Sequence, residues 1–334
     1  MELQSIIYYV GLVTSLYLFG SLAQHIYTFL RPSTLPRYLH GSKDGKNRES
    51  WALVTGASDG IGLSFAQELC GHGFNVLLHG RNRQKLLGVQ EQLRKQYPTS
   101  KTRIVVFDAS DSASIDSIDE KIHEFGGRRD GEKVDDDEVN LTVLINNVGG
   151  TGAFPPDVSP FPSIHNHTPS QLDGMLNLNA RFTAHLTRLL LPTLIRNGPS
   201  LVMNISSTAA VGMPFTSIYA GSKGFIDSFT KSVKSEMLAL GKDVDVLGIK
   251  LSNVRSGGHK VETGFATPTA RTFARAALNR VGNGGAIVWG YWPHALQMFT
   301  LQCLHESVIR KVFIKAMTKI IEEDNLEREQ KKQK

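Results

Sequence analysis

The sequence predicts an α/β fold: a doubly wound, Rossmann-type parallel sheet of seven strands, preceded by a transmembrane helix. Three observations predict it. Seven short apolar runs (WALVT, NVLLHG, TRIVVFD, LTVLIN, SLVMNIS, VDVLGIKL and AIVWG) lie between Trp51 and Trp289, with the near-continuous hydrophobicity of parallel strands buried on both faces. Amphipathic stretches at 63–72, 84–97, 170–196 and 217–240 fall between them, and such alternation covers a parallel sheet with helices on both sides. From Leu3 to Leu30 there is no Asp, Glu, Lys or Arg, a run longer than the ~20 residues that span a bilayer core.

In chain order, the N-terminal helix carries Tyr8, Tyr9 and Tyr27 near its ends, where interfacial aromatics sit. Arg31, Arg37, Lys43, Lys46 and Arg48 follow, with Asp44 the only acid before Glu49. A cleaved signal peptide or a buried core helix would also be apolar, but a signal peptide starts basic and this chain starts Met1-Glu2. A retained anchor with basic residues after it places the rest of the chain in the cytosol. The expected division is an anchor over 1–30, a basic juxtamembrane linker over 31–50, an α/β domain over 51–292, and a C-terminal helix with a basic tail over 293–334. Gly126 to Asn140 reads as a polar surface loop before the fourth strand.

Composition narrows the function. Hydrophobic residues make up 41% and charged residues 20%, which excludes wholesale disorder. Two cysteines, Cys70 and Cys303, exclude a disulfide scaffold and a cysteine-rich zinc site, and nothing predicts a metal. The 37 basic and 31 acidic residues give a net charge of +6. The basic clusters are the juxtamembrane and tail segments, so no nucleic-acid-binding stripe is expected.

The first strand runs into Thr55-Gly56-Ala57-Ser58-Asp59-Gly60-Ile61-Gly62 and then a helix. Gly56 allows a tight turn, and Gly60 and Gly62 let backbone and helix approach a pyrophosphate at the helix N-terminus. This strand–helix junction is the context the glycine cluster needs, so the cofactor-binding candidates are Gly56, Ser58, Asp59, Gly60, Ile61 and Gly62. After the second strand, where an NAD enzyme places an acid, stands His79-Gly80-Arg81-Asn82. Arg81 offers a planar fork of donors to a 2′-phosphate, which predicts NADPH/NADP+. Asp108 closes the third strand near the adenine, and Asn146-Asn147-Val148-Gly149 closes the fourth along the cofactor.

Tyr219 and Lys223 in YAGSK lie one helical turn apart on one face. Ser206 and Ser207 end the strand before them, and Asn179 lies in the long preceding helix. TGASDGIG, NNVG, NISS and YAGSK stand in the order and approximate spacing of the short-chain dehydrogenase/reductase superfamily, which the chain resembles from about Trp51 to Trp289. A closer resemblance is to the membrane-bound very-long-chain 3-oxoacyl-CoA reductases and their hydroxysteroid-dehydrogenase relatives. The N-terminal apolar segment, NNVG, RVGNGG, WGYWPHAL and the lysine-rich tail carry it. The resemblance implies that Tyr219 donates a proton and that Lys223 lowers its pKa from near 10. A serine would hold the substrate oxygen, and Asn179 a water leading from Lys223 to solvent. Spacing favours Ser206 as that serine, and alignment of NISS favours Ser207 with one residue deleted from the following loop; pleat alternation fixes strand register, so the loop deletion is the easier change and Ser207 is preferred. The usual Pro-Gly turn and nicotinamide-binding Thr after the sixth strand are missing, and Val254 and Ser256 stand in their place. The proline-rich loop from Gly150 to Thr168 also departs from that group.

Toward the C-terminus, Val281 to Leu304 again lacks Asp, Glu, Lys and Arg, but Gly284, Gly285, Gly290 and Pro293 interrupt it. The expectation is a last strand and a helix over 294–303, serving as a substrate lid or lying in the membrane interface; a second span is the alternative. The tail Lys331-Lys332-Gln333-Lys334 matches a dilysine retrieval signal of the endoplasmic reticulum, or is a frayed basic tail. Together these features predict a ketoreductase of the endoplasmic reticulum membrane with a cytosolic catalytic domain. Its substrate would be a lipophilic small molecule, first a fatty 3-oxoacyl thioester. The alternatives are a polyketide, terpenoid or sterol ketone of a specialised pathway, or a non-catalytic NADP-binding scaffold. A homodimer or pathway enzymes are the protein partners to expect.

Overall fold

A computed structural model describes residues 2–40, 49–118, 139–151, 158–259 and 261–332. Each of the seven apolar runs forms a strand: β1 (Ser50–Val54), β2 (Asn75–Gly80), β3 (Thr102–Val106), β4 (Asn140–Asn146), β5 (Ser200–Ile205), β6 (Val244–Lys250) and β7 (Ile287–Trp289). They pair in parallel in the order β3-β2-β1-β4-β5-β6-β7. The order reverses between β1 and β4, which opens a crevice at their C-terminal ends. Helices α2 (Gly60–Gly71) and α3 (Arg83–Gln96) cover one face, and the short α4 (Ser112–Asp116) lies on the other.

The stretch expected as one helix over 170–196 is interrupted. It consists of α5 (Pro169–Leu176), a π turn (Asn177–Arg181) and α6 (Phe182–Arg196). Helix α7 (Ser217–Ala239) packs beside α6 on the second face, through Phe182, Leu186, Leu190, Leu194, Val233 and Met237. Helix α8 (Ala270–Leu278) returns to the first face against α2. There Glu68 of α2 accepts from Arg271 Nε and Arg275 Nε, both at 3.0 Å. Helices α9 (Trp292–Gln302) and α10 (Glu306–Lys332) complete the chain. Positive-φ glycines at 282 and 284, and then β7, break the second apolar stretch, so it is not a continuous span. The helix α10 carries the basic tail through Lys332; Gln333 and Lys334 lie outside the described residues, as does most of the polar insert at 126–140.

Helix α1 (Glu2–Leu30) presents exposed Leu, Ile, Val, Tyr and Phe side chains. It is the one helix among the described residues long and apolar enough to cross a membrane. Its last carbonyls lack intrahelical donors, and a socket made by the RVGNGG stretch supplies them. Arg280 donates from Nη1 to Thr28 O at 2.7 Å and from Nη2 to Phe29 O at 3.1 Å. Asn283 Nδ2 donates to Thr28 O at 2.8 Å. The guanidinium also lies 4.7 Å from the Phe29 ring centroid, and its positive charge suits the negative end of the helix dipole. Gly282, at φ +90, lies where a Cβ would stand 2.3 Å from Thr34 Oγ1.

The segment after α1, expected as a basic juxtamembrane linker over 31–50, is tied to the domain by two of its side chains. Leu35 and Tyr38 are buried in the core. The Tyr38 hydroxyl donates to Asp245, Thr142 Oγ1 donates to Tyr38 O at 2.8 Å, and Arg37 pairs with Asp243 at 2.6 Å. Residues 41–48 lie outside the described residues. Residues 31–40 thus run beneath the N-terminal edge of the sheet, opposite the crevice, where only long-range pairing could place them.

Candidate active site

The glycine turn is shaped by contacts that leave no room for side chains. A Cβ on Gly62 would stand 2.1 Å from Gly56 O and 2.7 Å from Asn147 Nδ2. Gly56 and Gly60 have φ of +67 and +59, which favour glycine. Asn147 Nδ2 donates to Thr55 O at 2.9 Å, and the N–H groups of Asn147 and Val148 donate to Thr55 Oγ1 at 2.8 and 3.0 Å. Thr55 therefore ties the end of β4 to the turn, a role the sequence reading missed because a threonine before the glycines has no distinctive pattern. Asp59 caps α2 by accepting from Gly60 N at 2.6 Å. Its carboxylate lies where a Cβ on Gly257 would be 1.9 Å from Oδ2, so it packs against the loop after β6. Ile61 packs against the core, and Ser58 lies beside Gly80.

Arg81 is exposed at the end of β2, with Nη1 3.8 Å from Asp108 Oδ2. Asp108 accepts from Ser110 N and Oγ at 2.9 and 2.7 Å. The two expected adenosine-side residues therefore stand together. Asn146 does not point along the crevice. Its Nδ2 donates to Asn204 Oδ1 at 2.8 Å and to Thr187 Oγ1 at 3.0 Å, inside the core. Only its backbone borders the site. Val254 is buried, and Ser256 closes over Gly60, with its Cβ 3.0 Å from the position a Gly60 Cβ would take.

His294, from the aromatic stretch, holds that loop from behind. Its Nδ1 accepts from Ser252 N at 3.3 Å, so Nε2 carries the proton, shared with Asn253 O and Ala266 O, each at 3.2 Å. No periodicity or spacing marked His294 for this task.

Tyr219, Lys223 and both serines converge at the ends of β5 and α7. Lys223 is 4% exposed, and its Nζ donates to Ile205 O at 2.8 Å. Burial pulls its ammonium down to about 8, with Asp227 opposing the shift. Nζ lies 5.8 Å from the Tyr219 ring centroid. The Tyr219 side chain is only partly buried as a whole, yet its hydroxyl is desolvated, which raises its pKa; a hydrogen bond with Ser207 pulls the other way. The Lys223 ammonium, 5.8 Å from the Tyr219 ring, donates to a backbone carbonyl in this arrangement. A raised pKa keeps the phenol protonated, as a proton donor must be.

The geometry separates the serines. Ser207 stands beside the Tyr219 hydroxyl, close enough to lower its pKa, and accepts from Ala209 N at 3.1 Å. Ser206 is buried and donates to Lys223 O at 3.4 Å, behind the site.

Asn179 sits in the π turn, a helix irregularity frequent at functional sites. Its Oδ1 accepts from Gly150 N at 2.9 Å, and Nδ2 donates to Gly150 O at 2.8 Å and Met175 O at 2.9 Å. The side chain thus clamps the turn after β4. A Cβ on Gly149 would stand 2.8 Å from Asn179 Oδ1 and 3.0 Å from Lys223 Nζ. Glycine at 149 lets the lysine and the amide share that corner.

Comparisons with known proteins agree with this architecture. The family model described as short chain dehydrogenase matches residues 50–263. The chain is similar to a very-long-chain 3-oxoacyl-CoA reductase-like protein of Arabidopsis thaliana, 30% identical over 82% of this chain and 83% of the relative. It is also similar to a very-long-chain 3-oxoacyl-CoA reductase of Emericella nidulans, 27% identical over 87% and 86% of the two chains. Among solved structures it resembles a short-chain dehydrogenase from Sphingobium yanoikuyae in complex with NADPH. That likeness has a TM-score of 0.59 and 19% identity, over 76% of this chain and 92% of the other.

Proposed function

The chain belongs to the short-chain dehydrogenase family, and from that premise we propose an NADPH-dependent ketoreductase acting on a lipophilic ketone, first a very-long-chain 3-oxoacyl thioester. The observation that carries the reading is the meeting of Tyr219, Ser207 and Lys223 beside the glycine turn, at the C-terminal edge of the sheet. The residues fit the cofactor: a turn in which Gly56, Gly60 and Gly62 bring bare backbone to the N-terminus of α2, with Arg81 standing where a 2′-phosphate needs a cation.

When bound, the reduced nicotinamide supplies the hydride. The chain does the rest. Ser207 holds the carbonyl oxygen, and Tyr219 gives it a proton as negative charge develops there. Lys223 supplies a positive charge beside the phenol. Asn179 positions the turn at Gly149 and Gly150, and Val254 and Ser256, in the loop over Gly60, would hold the nicotinamide end.

The first substrate class is supported by the names of the two curated relatives and by the apolar helix α1. The post-β6 run without Pro-Gly favours a second reading, a polyketide, terpenoid or sterol ketone. Detergent-purified protein given NADPH and a long-chain 3-oxoacyl-CoA should consume NADPH and yield the 3-hydroxyacyl-CoA. Turnover confined to a ketone without the thioester would replace the first reading by the second.

Cofactor choice has its own test. NADPH should bind at least roughly tenfold tighter than NADH, about 1.4 kcal/mol. Arg81→Ala should erase most of that gap in a fluorescence titration, and equal affinities in the parent protein would exclude the assignment.

We place the protein at the endoplasmic reticulum membrane with the catalytic domain in the cytosol. Support comes from α1, from Arg31 and Arg37 after it, and from the lysine pattern of the tail. Of the three Asn-x-Ser/Thr sequons, Asn140 and Asn204 are buried in strands, so Asn140 is not the loop site the sequence suggested. Only exposed Asn166 reports topology. Alkaline-washed membranes should retain the protein, with no glycosidase-sensitive mobility shift; a shift abolished by Asn166→Gln would put the domain in the lumen.

A further inference from the structure

Tyr219, Lys223 and Asp227 succeed one another at four-residue intervals along one face of α7. Asp227 has no part in the chemistry described above, yet it is placed beside it. Its Oδ2 lies 2.9 Å from Nζ of Lys250, the last residue of β6, and the two side chains are 15% and 21% exposed. Lys250 Nζ in turn lies 5.9 Å from the Trp289 ring centroid. The other carboxylate oxygen, Asp227 Oδ1, is buried and accepts no hydrogen bond. An acceptor-only group left half unsatisfied in a low dielectric is costly. Its charge acts on its neighbours with little screening.

The charged groups on the elements packed against α7 are few. On β6 they are Lys250 and Asp245, and Asp245 is engaged at the far end of the strand by Tyr38 and Arg37. Arg181 of the π turn pairs with Asp116 at 2.6 Å. Asp173 of α5 is exposed. On α7 itself, Tyr219 is neutral, and Lys231, Lys234 and Glu236 stand two turns or more beyond Lys223. Asp227, held by Lys250, is therefore the charged group that acts on Lys223.

We propose that Asp227 is a positioning residue for the reduction: its carboxylate, paired with Lys250 and one helical turn from Lys223, keeps the Lys223 ammonium charged in the crevice, and Lys250 sets how much of that negative charge Lys223 feels. The inference rests on the proposed reductase reading for its consequence in catalysis. Burial pulls the Lys223 pKa down to about 8, and Asp227 is the group that opposes the fall. The signs follow. Ketone reduction uses the charged ammonium, so activity is lost as pH rises through the lysine pKa. Removing the carboxylate moves that alkaline limb to lower pH. Removing Lys250 leaves the carboxylate to Lys223 alone and moves the limb to higher pH.

The test uses full-length protein in detergent. Lys223 is titrated without cofactor, by the pH dependence of its acetylation by acetic anhydride, read by peptide mass spectrometry. The pH profile of kcat/KM is measured in parallel. Asp227→Asn should lower the Lys223 titration midpoint by roughly one unit, and Lys250→Met should raise it by a similar amount. Asp227→Glu should stay close to the parent. A purely structural ion pair would lower thermal stability in both variants and leave both midpoints where they were, and that outcome overturns the proposal. Shifts of the same sign in the two variants overturn it as well. The acetylation midpoints need no turnover, so a protein that reduces no ketone would sink the reductase reading while this result still stood or fell alone. Where Asp227→Asn fails to fold, Lys250→Met and Asp227→Glu still decide the matter.

Discussion

Tyr219→Phe should reduce ketone turnover by roughly 10²–10⁴, the usual worth of a positioned general acid, while leaving NADPH affinity within about twofold of the parent. The substitution keeps the ring that faces Lys223 and removes only the hydroxyl that meets Ser207. Burial holds that hydroxyl in its protonated form, so a donor is loaded at neutral pH. The two serines should then part company. Ser207→Ala should cost about 10²–10³ in kcat, as loss of a donor to a developing oxyanion does. Ser206→Ala should cost far less, because its hydroxyl points to the Lys223 carbonyl behind the site. Stopped-flow measurement of NADPH consumption checks all three. Retained turnover in Tyr219→Phe would assign the proton to another group, and a larger loss in Ser206→Ala than in Ser207→Ala would reverse the serine assignment.

Gly62→Ala should weaken NADPH binding by more than about tenfold and lower stability by roughly 1–3 kcal/mol, the usual penalty of overpacking. One added methyl suffices, because it would stand 2.1 Å from Gly56 O and 2.7 Å from Asn147 Nδ2. Neither neighbour can yield cheaply: one is the backbone of the glycine turn and the other holds Thr55 O. A matched control exists in the same fold. Gly88, in the exposed part of α3, has nothing within 4 Å of a built Cβ. Gly88→Ala should stabilise by about 0.5–1 kcal/mol through helix propensity. Thermal melts of the two variants should therefore move in opposite directions. A Gly62→Ala protein that melts and binds like the parent would mean that the turn has slack the structure does not show.

Much of the frame was legible because it depends on local pattern. The seven strands each fall on a short apolar run, and no feature outside the run is needed to find it. Glycines at positive φ and a Tyr–Lys pair one turn apart are also short-range signals. The break in the helix over 170–196 was not legible, since Asn179 turns there to hold Gly150, distant in sequence. Asn146 looked like a crevice residue by its place at a strand end. The amide instead completes a buried network with Asn204, Thr187 and Thr230, contributed by three other elements. The side chain of Asp59, in the glycine turn, caps α2 and packs on Gly257, a contact across the sheet that the turn's own sequence does not announce.

By itself the sequence determined the parallel sheet, the apolar helix before it, and which residue types gather at the C-terminal strand ends. Strand hydrophobicity and turn stereochemistry act within a few residues, so a linear reading captures them. Tertiary structure alone decided which serine meets Tyr219, that Arg280 and Asn283 cap α1, that residues 31–40 join the core, and that an Asp227–Lys250 pair stands behind Lys223. Each of these depends on where a polar atom finds its partner once water has been excluded. Those partners lie up to 255 residues apart, and burial decides them, because an unpaired polar group in the interior costs more than any local preference returns.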